Sequence, residues 1–354
     1  MGRRSIVAGF ALLACSALAP SAHAQKAVLD VPATKKWQHA RTGLIVPQAP
    51  AGLPRTEILT LGQGELDIAV QFGDVNKTQA TLYLFRPALM SVPVWFDRVE
   101  TQILQRGAYG NPTPATAPTG FAPPGGTAPS ALRRFYKPSK PPYAATGAAV
   151  LPLGEWLVVV RISSVEQDPA QLDATLSALI AGLGWPARAA TVAEAPAAVP
   201  VQPCAAALAF DKKAKMQKPD MTAGLFGSLL AVVAADKSKE TAKAGETAEA
   251  RPPFCRDPAS RQEQGVYRVE SQEPDSYTIA IADAGRTVFV YRELALDPKK
   301  KPGFAVTLNT LDRAYSFPAF DRLPDPEKVM QAIAQTQPVS SVERGSKTIS
   351  IRAR

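Results

Sequence analysis

Residues 1–24 have the pattern of a secretory leader, and that pattern limits the fold because it decides the redox state of the thiols behind it. Arg3 and Arg4 precede an almost wholly apolar stretch over 6–19, and Ala22-His23-Ala24 places small residues before a cut ahead of Gln25. Cleavage between Ala24 and Gln25 leaves 330 of the 354 residues and removes Cys15, so Cys204 and Cys255 are the remaining cysteines. In an oxidising compartment their expected state is a disulfide. Closing a loop of roughly 50 residues removes about 4 kcal/mol of unfolded-chain freedom in the chain-entropy model. The second half of the chain must therefore bring these two positions together. The same leader has another reading, in which Leu12-Leu13-Ala14-Cys15 is a lipobox and the mature protein is a lipoprotein anchored through Cys15.

A mature chain of this length can bury two cores. Hydrophobic residues at 46% and charged residues at 20% are globular values. The formal charge is +9, of which Arg3 and Arg4 leave with the leader, so the mature chain carries +7. Outside the cytoplasm such a balance points to anionic envelope components or another envelope protein as partners, and away from nucleic acid.

Patterning predicts an α+β protein of two domains, each a mostly antiparallel sheet packed with one or two helices. The first domain spans 26–186. Short strands at 57–61, 66–72 and 80–86 form a meander broken by Gly62-Gln63-Gly64 and Gly73-Asp74. Pro93 opens a helix with Trp95, Val99 and Ile103 on one face, ended by Gly107. The Gly, Pro, Ala and Thr of 107–130 predict a mobile loop. Strands follow at 143–151 and 156–162, and the apolar run of the latter suits a central strand covered on both faces. A closing helix has Asp168, Pro169 and Gln171 as a capping box and Leu172, Leu176, Leu179, Ile180 and Leu183 on one face. An Ala/Pro linker covers 187–203.

The second domain, 204–354, contains an excursion at 211–253 between the two cysteines. Lysines 212, 213, 215 and 218 lead into a charge-free run at 221–235, then a charged, repetitive stretch at 236–251. At about 1.5 Å per residue the apolar run spans roughly 22 Å as a helix, short of the ~30 Å hydrocarbon core, so no transmembrane span is expected in the mature chain. It reads as buried packing or as an element that touches a membrane surface. Strands are expected at 265–269, 277–282, 287–294, 304–308 and 314–320, with a hairpin turn at Asp283-Ala284-Gly285-Arg286. A helix over 325–335 and a last strand at 348–351 complete the chain.

Thr42-Gly43-Leu44-Ile45-Val46-Pro47, Gly52-Leu53-Pro54-Arg55, Ala80-Thr81-Leu82-Tyr83-Leu84 and Cys255-Arg256-Asp257 resemble an uncharacterised exported proteobacterial protein family. The order of hairpin, helix, further strands and closing helix in the first domain is similar to PsbP-like domains, which implies a layered binding or accessory module. Neither resemblance carries an active-site residue.

His39 is the one histidine left after the leader, which excludes a multi-histidine metal centre within one chain and leaves any serine triad dependent on that residue. Gly62-Gln63-Gly64 lacks the helix and third glycine of a dinucleotide site, and no cofactor is expected. Cys204 and Cys255 lie too far apart in sequence for a Cys-x-x-Cys redox pair. The candidate ligand patch is Arg133, Arg134, Tyr136, Lys137 and Lys140, where guanidinium groups beside aromatic rings suit an anionic ligand. The expected role is a periplasmic, non-catalytic binding or accessory protein of the cell envelope. The alternatives are an envelope-acting hydrolase and a membrane-surface interaction protein.

Overall fold

The structure, a computed structural model, describes residues 27–187, 194–219, 253–270, 275–293, 301–346 and 348–351. The leader, the Ala24–Gln25 cut, Cys15 and the 221–235 and 236–251 stretches lie outside the described residues. The described chain is mostly antiparallel sheet with a few helices, which fits the α+β class expected and a mainly β class alike.

The first sheet has nine strands. Its centre is built from β4 (Arg55–Thr60), β5 (Asp67–Gly73), β6 (Thr78–Phe85), β9 (Ala131–Lys137), β10 (Ala145–Leu153) and β11 (Trp156–Ser164). Short β1 (Ala27–Val28) edges β4, while β7 (Thr113–Pro114) and β8 (Thr119–Phe121) both edge β9. In space the order is β1-β4-β5-β6-β11-β10-β9, so β11 is central, as its unbroken apolar run requires. A separate hairpin joins β2 (Trp37–Gln38) to β3 (Ile45–Val46).

Two helices cover this sheet on opposite faces. Ser91 caps α1 (Val92–Leu104), and the reciprocal Asp168–Gln171 capping box starts α2 (Pro169–Gly182). Leu172, Leu176, Leu179 and Ile180 of α2 pack on the face formed by Val158, Val160 and Ile162. Trp95, Val99 and Ile103 of α1 pack on the opposite face against Val150, Leu157 and Val159. Alternation along β11 sends its apolar side chains to both helices.

The second sheet also has nine strands: β12 (Gln202–Pro203), β13 (Phe254–Arg256), β14 (Gln264–Val269), β15 (Tyr277–Ile281), β16 (Arg286–Arg292), β17 (Phe304–Asn309), β18 (Arg313–Phe320), β19 (Ser340–Glu343) and β20 (Ile349–Ile351). They neighbour one another in chain order, and β12–β13 is a parallel pair. Val266 and Ile279 face a core closed by α3 (Pro326–Gln335), whereas Tyr267 and Ala280 point the other way and join the core of α1. Helix α1 therefore lies between the sheets. The first sheet is built from residues up to Ser164 and the second from Gln202 onward, and their packing is shared.

Two segments differ from expectation. Residues 107–130, expected as a mobile loop, lie along the free edge of β9 through β7 and β8, with Tyr109 buried. Low apolar content did not prevent this, because an exposed strand edge offers backbone partners to any residue type that can extend. The described part of the 187–203 linker is docked as well: Glu194 accepts hydrogen bonds from Thr127 and Ala128, and the Ala198 amide donates to the Pro129 carbonyl at 2.9 Å. Of the 211–253 excursion, 211–219 lie against the end of β18, where Met216 bridges Phe320 and the Gln217 amide donates to the Ala319 carbonyl at 2.7 Å.

Candidate functional site

Cys204 and Cys255 are joined in a disulfide, with their Cα atoms 4.8 Å apart. Beside them the buried carboxylate of Asp257 accepts from the amides of Leu208 and Ala259, each at 2.9 Å, and faces the buried guanidinium of Arg268. This network pins the start of the excursion to the second sheet. Cys204, Cys255 and Glu270 also form a cluster of possible metal ligands. Sulfurs bonded to each other have no thiolate to offer, and Glu270 accepts from the Ala205 amide.

His39, expected at the periphery, has no exposed surface. Its Nε2 is 2.9 Å from the Glu65 carbonyl, an acceptor only, which places the ring proton there. Nδ1 accepts from the Thr42 amide at 3.3 Å. Burial holds its pKa below the ordinary value. The imidazole meets Trp156 edge-on, with centroids 4.9 Å apart, and so closes the N-terminal segment over the sheet.

The five residues of the expected ligand patch do not form one surface. They belong largely to β9, an interior strand, and a strand turns successive side chains to opposite faces. Arg133 reaches α2, 3.2 Å from Asp173 and 2.7 Å from Ser177 Oγ. Arg134 reaches α1, 3.0 Å from Glu100, and also donates to the Thr116 carbonyl. Tyr136 is buried beside it and donates to the same carboxylate; burial, then Glu100, raises its pKa. Lys137 and Lys140 are exposed, beyond these pairs.

A different set of residues shares the α1-side face of the first sheet, on β4, β5, β6 and β11. The register places Glu57 beside Gln71, Gln71 beside Thr81, and Thr81 beside Arg161, a polar row across four strands. Each of these side chains is half-buried. The Arg161 guanidinium lies 5.6 Å from the ring centre of Tyr83 and is ion-paired to Asp283 in the β15–β16 turn. Its Nε is buried without a hydrogen-bond partner among the described residues. Burial lowers its pKa. Arg106, exposed past the end of α1, sits over Tyr109 at 5.3 Å, and Tyr109 meets Tyr143 edge-on at 5.3 Å. Gln79 donates to the Tyr143 hydroxyl at 2.7 Å, and the Tyr109 hydroxyl is 2.8 Å from Ser163 Oγ.

The turn that supplies Asp283 is held by contacts between the halves. Arg98, with no exposed surface, donates to the carbonyls of Ala282, Arg261 and Gln262. Asp97 accepts from Tyr267 and pairs with Arg256 at 3.1 Å. A Cβ at Gly265 would lie 2.6 Å from both the Arg98 side chain and the Tyr267 ring, so the strand can approach α1 only with glycine there. Arg86 donates to the Leu311 carbonyl and Arg344 to that of Pro87.

The polar row escaped sequence reading because its members are scattered over more than a hundred residues. One local signal existed: Arg161 is the charged residue inside the otherwise apolar run of β11. Chemically the row offers guanidinium, hydroxyl and amide donors beside tyrosine rings. No family model, curated protein or solved structure matches the chain.

Proposed function

We propose that the protein is exported by its leader, is cut between Ala24 and Gln25, and acts in the periplasm as a non-catalytic binding or accessory component of the cell envelope. In this reading the chain has two domains joined through 187–203, the first of them a PsbP-like module. The Cys204–Cys255 disulfide supports export, since such a bond persists in oxidising compartments. The observation that carries the binding role is the half-buried row ending at Arg161, a cation beside aromatic rings, whose Nε has no hydrogen-bond partner among the described residues. His39 supports the same reading, because both of its ring nitrogens are engaged in holding a loop.

Osmotic-shock fractionation with intact-mass measurement tests export, and a panel of ester, phosphoester, glycoside and peptide substrates tests the absence of turnover. The expected result is a shock-released chain starting at Gln25 that turns over none of them. Retention in the cytoplasm, a mass that includes lipidated Cys15, or hydrolysis abolished by a point mutation would overturn the proposal.

A further inference from the structure

The proposed binding role leaves the ligand open, and the polar row narrows it. We infer that the row from Glu57 to Arg161 binds an acidic oligosaccharide, with a sugar carboxylate held at the Arg161 end. The inference rests on the binding reading above and goes beyond it in naming the ligand class and the residues.

Charge decides the end at which the carboxylate sits. Arg106 lies over Tyr109 and Arg161 over Tyr83, and Asp283 is the one carboxylate paired with either among the described residues, so this end carries two cations to one carboxylate there. Nε and Nη2 of Arg161 are buried while 21% of its side chain remains exposed, so an incoming oxyanion would have to meet the guanidinium at Nη1. A guanidinium held rigid against a tyrosine ring meets a carboxylate without losing further freedom, and Arg106 can close on it from the exposed side. At the opposite end stands Glu57, which repels a second carboxylate and sets the direction in which a chain lies.

Shape decides that the ligand is a saccharide. With strands about 4.8 Å apart, the row runs about 14 Å across the sheet, longer than a single small acid. Between its ends Gln71 and Thr81 present an amide and a hydroxyl, which donate to and accept from sugar hydroxyls. Tyr83, the next residue of β6 on this face, is half-buried with the Arg161 guanidinium over its ring, and its exposed part supplies apolar surface beside the cation. The basic mature chain adds long-range attraction for an acidic glycan and does not by itself distinguish it from lipid.

Titration calorimetry of the mature protein with hexagalacturonate, maltohexaose and free galacturonate tests the assignment, at low and raised salt. Hexagalacturonate is expected to bind more tightly than either of the others, and more weakly as salt rises. Arg161→Gln and the exposed Arg106→Gln should each lose about tenfold to a hundredfold in affinity. Arg106→Gln keeps the test decisive if the Arg161 variant misfolds. Equal binding of the neutral oligomer or of the free sugar acid, or wild-type affinity in Arg106→Gln, would overturn the inference. So would Arg161-dependent binding to phosphatidylglycerol vesicles without binding to hexagalacturonate, which would reassign the cation to a lipid headgroup. Absence of saccharide binding leaves the envelope role standing. Cleavage of hexagalacturonate would instead remove the non-catalytic role and keep the site.

Discussion

Asp67 opens β5 with its carboxyl almost wholly buried, and burial outweighs the attraction of Arg286, pushing its pKa up to about 6 from an ordinary 3.8. The native chain thus keeps a proton that the unfolded chain has lost between those values, so this residue lowers stability as pH rises through that window. The size is about 3 kcal/mol, full above pH 6. His39 acts in the opposite sense, because its lowered pKa means that the unfolded chain takes up a proton first and stability falls as pH drops below 6.5. Asp67→Asn separates the two. The variant should match the wild type in urea near pH 4 and become progressively more stable than it toward pH 7. A constant difference across that range would show that Asp67 ionises normally in the folded protein.

At the scale of elements, α2 is the part of the chain whose cause is most local. Asp168 accepts from the amides of Ala170 and Gln171, the Gln171 side chain reaches back to the Asp168 amide, and Pro169 fixes the first turn. Asp168→Ala should cost about 1 kcal/mol, read as a lower urea midpoint with an unchanged slope. No loss would mean that packing of Leu172 and Leu176 alone sets the helix start. Helix α1, the β4–β6 meander and β11 were legible for the same reason: caps, turns and apolar spacing all lie within each segment. Strand β9 was not, because Arg133 and Arg134 read as part of a ligand patch until Glu100 and Asp173, from two separate helices, are brought beside them. Strands β7 and β8 depend on an edge that exists only once β9 is in place. The candidate site has the same origin: Gln71, Thr81 and Arg161 become neighbours through register, and a single strand's pattern contains no register.

For the molecule as a whole, the decisive contact is the one that makes two sheets share a helix. Helix α1 buries Trp95 and Val99 on the first sheet, and Arg98, on the same helix, donates to carbonyls at 261, 262 and 282 of the second half. Removing the guanidinium takes the donor from the Ala282 carbonyl and leaves those of Arg261 and Gln262 with the Gln264 amide and the Gln102 side chain, and lysine cannot replace a planar fork that serves several acceptors. The two halves should therefore unfold as one unit in the wild type, whatever their division in sequence. The chain itself supplies the probe: Trp37, Trp95, Trp156 and Trp185 all precede the 187–203 boundary, so tryptophan fluorescence reports the first half while far-ultraviolet circular dichroism reports both. The two signals should coincide in urea for the wild type. In Arg98→Leu they should separate, because each sheet keeps its own core while the coupling between them is lost. Separate transitions in the wild type would show that the shared helix couples the halves weakly. Coincident transitions in Arg98→Leu would place the coupling in the remaining contacts, among them Asp97 with Tyr267 and Arg256, Arg161 with Asp283, Arg86 with Leu311 and Arg344 with Pro87, and Asp97→Asn in the same background would be the next measurement.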